Sequence, residues 1–109
     1  MTIRTGRKRR PSAPASVPHR PQLLEWLKDA ENAAAYVEAA LEEGNTADLL
    51  QALRNVAEAR GGVAAMAAKT GLNREALYRT LSKRGNPQLK SFAAILDAAG
   101  LRLSVRPSA

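Results

Sequence analysis

The chain has 109 residues, 22 of them alanine and four aromatic (Trp26, Tyr36, Tyr78, Phe92), with no cysteine and one histidine, His19. That length suits one small domain, and disulfides, thiolate metal sites, a His-based metal centre and a catalytic triad have no material. Apolar runs are too short to span a bilayer and the basic N-terminus lacks a signal peptide's apolar core, so the expectation is a cytoplasmic protein, not an enzyme, with no metal or cofactor.

The net charge of +7 is unevenly spread. Residues 1–20 hold six basic groups and no acid; residues 21–59 hold two basic groups against eight acids; residues 60–90 hold seven basic groups against Glu75 alone. An acidic third beside a basic third implies two faces with two different partners.

Residues 1–21 carry Pro11, Pro14, Pro18 and Pro21 with no apolar period, which predicts a disordered basic arm. Three readings of Arg7-Lys8-Arg9-Arg10 stay open: an arm along DNA phosphates or in a minor groove, a solvated tail, and an upstream extension. Residues 22–60 form the acidic helical part. Leu23, Leu24, Trp26 and Leu27 predict a helix of one to two turns. Asp29 is a good N-cap, with Asn32 where a capping box would place Glu or Gln. The next helix runs to about Glu43, with Ala33, Tyr36, Val37, Ala40 and Leu41 at helical spacing, and Gly44-Asn45 closes it. Thr46 is expected to cap a third helix through about Arg60, facing Leu49, Leu50, Leu53, Val56 and Ala57 inward, with Gly61-Gly62 as its stop.

Residues 61–100 read as a helix-turn-helix core. Val63 to Thr70 is the first helix, Gly71 the turn and Asn73 to Lys83 the second. A small residue, Ala67, sits where the helices cross; Gly71 supplies the positive φ of the turn; Leu72 and Leu77 fill the angle; Asn73 caps. Pro87 stands near the start of a last helix that ends at Gly100. Leu101-Arg102-Leu103-Ser104-Val105-Arg106 alternates as a strand does, and one strand pairs only with a second copy or another protein. The alternative is that the 101–106 segment folds back on the last helix. The expected class is therefore all-α, a small bundle of five to six helices with a short C-terminal β-strand.

On a helical wheel Ala76, Leu77 and Leu81 face the core, while Glu75, Tyr78, Arg79, Ser82 and Lys83 face away. In a major groove Arg79 can bond guanine bidentately, Glu75 can accept from cytosine, and Tyr78 can meet a thymine methyl or a phosphate. Arg74 is better placed for phosphate, and Lys69, Lys83 and Arg84 add charge. Asn86 and Gln88 join the candidate DNA-binding residues at the entry to the last helix, where the amides of Gln88 and Leu89, like those of Gly62 and Val63, suit phosphate.

From about Leu24 to Pro107 the chain resembles the addiction-module antidote family, a HigA-like branch of the Xre-type helix-turn-helix regulators. The resemblance rests on Tyr36-Val-Glu-Ala-Ala-Leu-Glu-Glu-Gly44, Leu53-Arg-Asn-Val-Ala-Glu-Ala-Arg-Gly61, Gly71-Leu-Asn-Arg-Glu-Ala-Leu-Tyr-Arg79, Gly85-Asn86-Pro87 and Gly100-Leu-Arg-Leu-Ser-Val105. It implies an antitoxin that neutralises a RelE/ParE-like (HigB-type) toxin and represses its own operon as a homodimer on a palindromic double-stranded DNA operator. By position it makes Asn73, Arg74, Glu75, Tyr78 and Arg79 groove-facing or phosphate-contacting. Thr80 departs from the aliphatic residue usual there, so Leu81 is expected to supply that packing, and the proline-rich arm lies outside the resemblance.

An acidic helical surface is a fitting partner for a basic, RNA-directed toxin, with Glu38, Glu42, Glu43 and Asp48 as candidates and an exposed Trp26 as apolar anchor. The plain reading is a solvated charged face over a Trp that caps the core. Leu101, Leu103 and Val105 are the candidate dimer residues. Two further functions compete: a stand-alone, prophage-like Xre-type regulator without a toxin, and a helical adaptor whose basic tail binds RNA or a membrane surface.

Overall fold

The computed structural model describes residues 19–108 except Lys83. The basic arm therefore lies outside the described residues up to residue 18, whereas Arg20 and Pro21 already belong to the first helix. Six helices follow one another: α1 Arg20–Trp26, α2 Ala30–Glu43, α3 Thr46–Ala59, α4 Val63–Thr70, α5 Arg74–Thr80 and α6 Leu89–Ala98. None is long and apolar enough to cross a membrane.

Local chemistry explains most of the boundaries. Pro21 sits in the first turn of α1, where its missing N–H costs nothing. The Asp29 carboxylate accepts from the amides of Glu31 and Asn32 to start α2. Asn45, not Thr46, caps α3, accepting the Asp48 amide at 2.9 Å. Both residue types cap well, and the chain uses the one that leaves Thr46 inside the helix.

Helix α3 is the hub. It packs against α1, α2 and α4, and α4 in turn packs against α5 and α6. Leu50, Leu53 and Val56 of α3 are buried with Val37 of α2, Met66 of α4 and Ile95 of α6 in one continuous core. Arg60, just beyond α3, ties the periphery together. Its guanidinium donates to the carbonyl of Lys28, after α1, at 2.6 Å and to that of Ala99 at the end of α6. Cations at helix C-termini satisfy carbonyls that the helix leaves open.

The expected C-terminal β-strand is not present among the described residues. Residues 101–108 carry no regular secondary structure. The alternation fits a strand, but a ladder needs a neighbouring strand, and the described chain offers only helices. Instead Leu101 packs against the core and its amide bonds Leu96 at 2.8 Å. The chain then continues beside α2, where Arg106 pairs with Glu38 at 2.8 Å. The fold-back thus reaches α2 as well as the last helix. The bundle is all-helical.

Candidate nucleic-acid interface

Helices α4 and α5 meet across a turn whose geometry leaves little freedom. Gly71 has φ 78° and ends α4 in the left-handed region, its amide bonding Ala67 at 3.1 Å. The Thr70 hydroxyl donates to Ala67 O at 3.3 Å and accepts from the Leu72 amide at 3.2 Å, closing the turn from the side. Asn73 Oδ1 then accepts the Ala76 amide at 2.6 Å and opens α5. Buried Ala67 and Leu77, with half-buried Leu72, occupy the angle between the helices. The sequence marks Thr70 only as the end of the first helix, because a hydroxyl that bonds its own turn has no periodic signature.

With Leu77 and Leu81 fully buried, Arg74, Glu75, Tyr78 and Arg79 are left on the exposed side of α5, Tyr78 at 52% exposure. Asn73 is exposed at the start of the same helix, and Lys69, near the end of α4, is exposed in a groove that Lys28, Arg60 and Asp97 also line. Leu81 takes the packing role expected of it next to the half-buried Thr80.

Helix α5 is shorter than its periodicity predicts, ending at Thr80 rather than Lys83. The chain turns back over the helix end: the Gly85 amide bonds Ser82 O at 2.8 Å, and a Cβ on Gly85 would lie 2.0 Å from Thr80 O. Ser82 therefore sits in the turn, half-buried, with its hydroxyl donating to Arg79 O at 2.8 Å. Lys83 lies outside the described residues.

Asn86 and Gln88 are exposed on the approach to α6, which no side chain caps. Leu89, marked in the sequence only for its amide, stands out there as an apolar side chain at 72% exposure. The paired expectation for α4 needs a correction, since the Gly62 amide is already bonded to Ala57 O at 2.8 Å and cannot serve a phosphate.

The acidic candidates divide. Glu42, Glu43 and Asp48 are exposed, whereas Glu38 is engaged by Arg106. Trp26 is half-buried rather than exposed: its ring meets Tyr36 edge-on, centroids 6.4 Å apart, and its Nε1 is buried with no partner among the described residues. It is packing between α1 and α2 and not a free anchor. The exposed apolar groups on this side are Leu41, at 44%, and Leu103, at 39%, which line one shallow groove with Glu38. Of the dimer candidates, Leu101 is committed to the core, while Leu103 is exposed and Val105 is 96% exposed.

Residues 19–107 match the family described as probable addiction module antidote protein. A Haemophilus influenzae protein, described as an uncharacterized protein, is 33% identical over 86 residues, covering 79% of this chain and 88% of the relative. No solved structure matches the chain.

Proposed function

Because this chain belongs to the family of probable addiction module antidote proteins, we propose that it is the antitoxin of a type II toxin–antitoxin module and represses its own operon by binding DNA through α4 and α5. The observation that carries the DNA-reading half is the face of α5. A helix capped by Asn73, held across the Gly71 turn by buried Leu77, presents a carboxylate, a phenol and two guanidinium groups to solvent. Arg79 supplies the bidentate donor that reads guanine, Glu75 the acceptor for the cytosine amine, and Tyr78 a contact to a thymine methyl or a phosphate. Arg74 and Lys69 neutralise phosphates at the flanks, and the uncapped start of α6 at Gln88 offers backbone amides to another.

A palindromic operator calls for a two-fold dimer. In this reading Leu103 and Val105, exposed on the irregular C-terminal segment, meet the same segment of a second copy. The toxin, of the RelE/ParE-like class, takes the acidic end of α2 next to that segment, where Glu42 and Glu43 provide charge complementarity and Leu41 replaces Trp26 as the apolar contact. The protein acts by binding and performs no catalysis.

The test is binding to the DNA upstream of the chain's own gene against scrambled DNA of equal length, together with co-purification of the neighbouring gene product. Selective DNA binding and a stable complex with a small basic protein support both halves. Selective binding with no partner leaves a stand-alone regulator. Equal affinity for both DNAs removes the repressor reading.

A further inference from the structure

The Leu53-Arg54-Asn55 stretch of α3 is one of the motifs that mark the chain, yet none of its polar side chains belongs to the DNA-reading face. Arg54 is half-buried, and its guanidinium donates to the carbonyl of Leu81, the residue that terminates α5. Its other terminal nitrogen donates to Gln51 Oε1, which fixes the plane of the group. Gln51 Nε2 donates in turn to Asn55 Oδ1 at 3.1 Å, and Asn55 Nδ2 donates to the Tyr36 hydroxyl at 3.0 Å. A continuous line of hydrogen bonds therefore runs from α2, along α3, to the last carbonyl of α5.

We infer that Arg54 is a positioning residue for the recognition helix: from α3 it sets the orientation of α5, and with it sequence discrimination, without itself contacting DNA. The inference rests on the repressor reading above for its DNA consequence only. Helix α5 has seven residues, too few to persist without tertiary support. Its N-terminal end is held by Asn73 and its middle by Leu77. At the C-terminal end the open carbonyls carry partial negative charge, and Arg54 is the cation that meets them. Losing that bond frees the end of the helix that presents Tyr78 and Arg79. Arg54 also lines a groove with Arg20 and Tyr78, so a direct phosphate contact is the competing role that an experiment must separate.

Three variants of the full chain do so. Arg54→Met keeps the length and apolar stem and removes the donors; Arg54→Lys keeps one donor; Gln51→Ala, at an exposed position, removes the group that orients the guanidinium and one of the two donors to Asn55 Oδ1, which keeps Arg20. Amide exchange along α5 and α2 is measured beside affinity for upstream and scrambled DNA over a salt series. For Arg54→Met, α5 amides exchange about tenfold faster, the equivalent of one charge-assisted hydrogen bond, while α2 amides are unchanged. Affinity falls by a similar factor on upstream DNA only, with the salt slope intact, and Arg54→Lys recovers most of the loss. An equal loss on both DNAs with a salt slope shallower by about one would make Arg54 a phosphate contact and overturn the inference. Unchanged α5 exchange overturns it too, including where wild-type protein shows no DNA preference and the repressor reading has itself failed. Should Arg54→Met unfold, Gln51→Ala decides by the same exchange criterion.

Discussion

The side-chain amide of Asn55 donates to the Tyr36 hydroxyl at 3.0 Å, while its carbonyl oxygen accepts from Arg20 at 2.8 Å and Gln51 at 3.1 Å. One buried side chain thereby joins α1, α2 and α3 in a satisfied polar node inside an otherwise apolar core. Replacing it with an apolar residue of similar size leaves the half-buried Tyr36 hydroxyl without that donor, whereas Arg20 keeps its ion pair with Glu58. Asn55→Leu is expected to destabilise the fold by about 1–3 kcal/mol, read in urea as a lower midpoint with an unchanged slope. A midpoint equal to wild type would show that the node contributes nothing net.

Gly85 closes the chain over the end of α5 by backbone contact, since a Cβ there would meet Thr80 O at 2.0 Å. A main-chain carbonyl cannot swing aside as a flexible side chain does. Gly85→Ala is therefore expected to cost about 1–3 kcal/mol, the usual range for forced overpacking, and thermal unfolding measures it. An unchanged melting temperature would mean that the turn relaxes freely.

The exposed face of α5 should separate stability from function. Arg74→Ala and Glu75→Ala remove no buried contact, so each is expected to shift stability by less than about 0.5 kcal/mol. Their DNA effects differ in kind. Arg74→Ala makes the salt dependence shallower by about one and weakens all sequences alike, whereas Glu75→Ala relaxes preference at one base pair. A large drop in stability for either would place that side chain in the packing instead.

Val105 projects into solvent at 96% exposure, and Leu103 at 39%, on the segment proposed to meet a second copy. Leu103→Asp with Val105→Asp leaves the core untouched and places like charges across a two-fold contact. Sedimentation should then report a folded monomer where the wild type is a dimer. Identical sedimentation of the two proteins would move the dimer contact elsewhere.

Where signals were local, the sequence carried the structure well. Helix α4 runs from Val63 to Thr70 as read, because glycines bracket it and Ala67 marks the crossing. Asp29 and Asn73 cap as their residue types dictate. What escaped depends on distant partners. Helix α5 stops at Thr80 where Gly85 returns over it and Arg54 reaches the Leu81 carbonyl from 27 positions earlier in the chain, neither of which leaves a periodic trace. The segment after Gly100 has a strand's alternation, but a β ladder is a property of two segments. Trp26 leaves two readings open in the sequence, anchor and core cap, because burial of a lone aromatic is settled only by Tyr36 lying across from it, which makes it packing.

The claim at the centre of this account is that α5 reads bases through Arg79, and paired binding curves for wild type and Arg79→Ala on upstream and scrambled DNA test it most directly. The account predicts a loss of about 1–3 kcal/mol on upstream DNA, little change on scrambled DNA, and the same pattern after removal of residues 1–18. Equal affinity of wild type and variant for upstream DNA, with binding abolished by removing residues 1–18, would contradict it and assign the DNA contact to the basic arm.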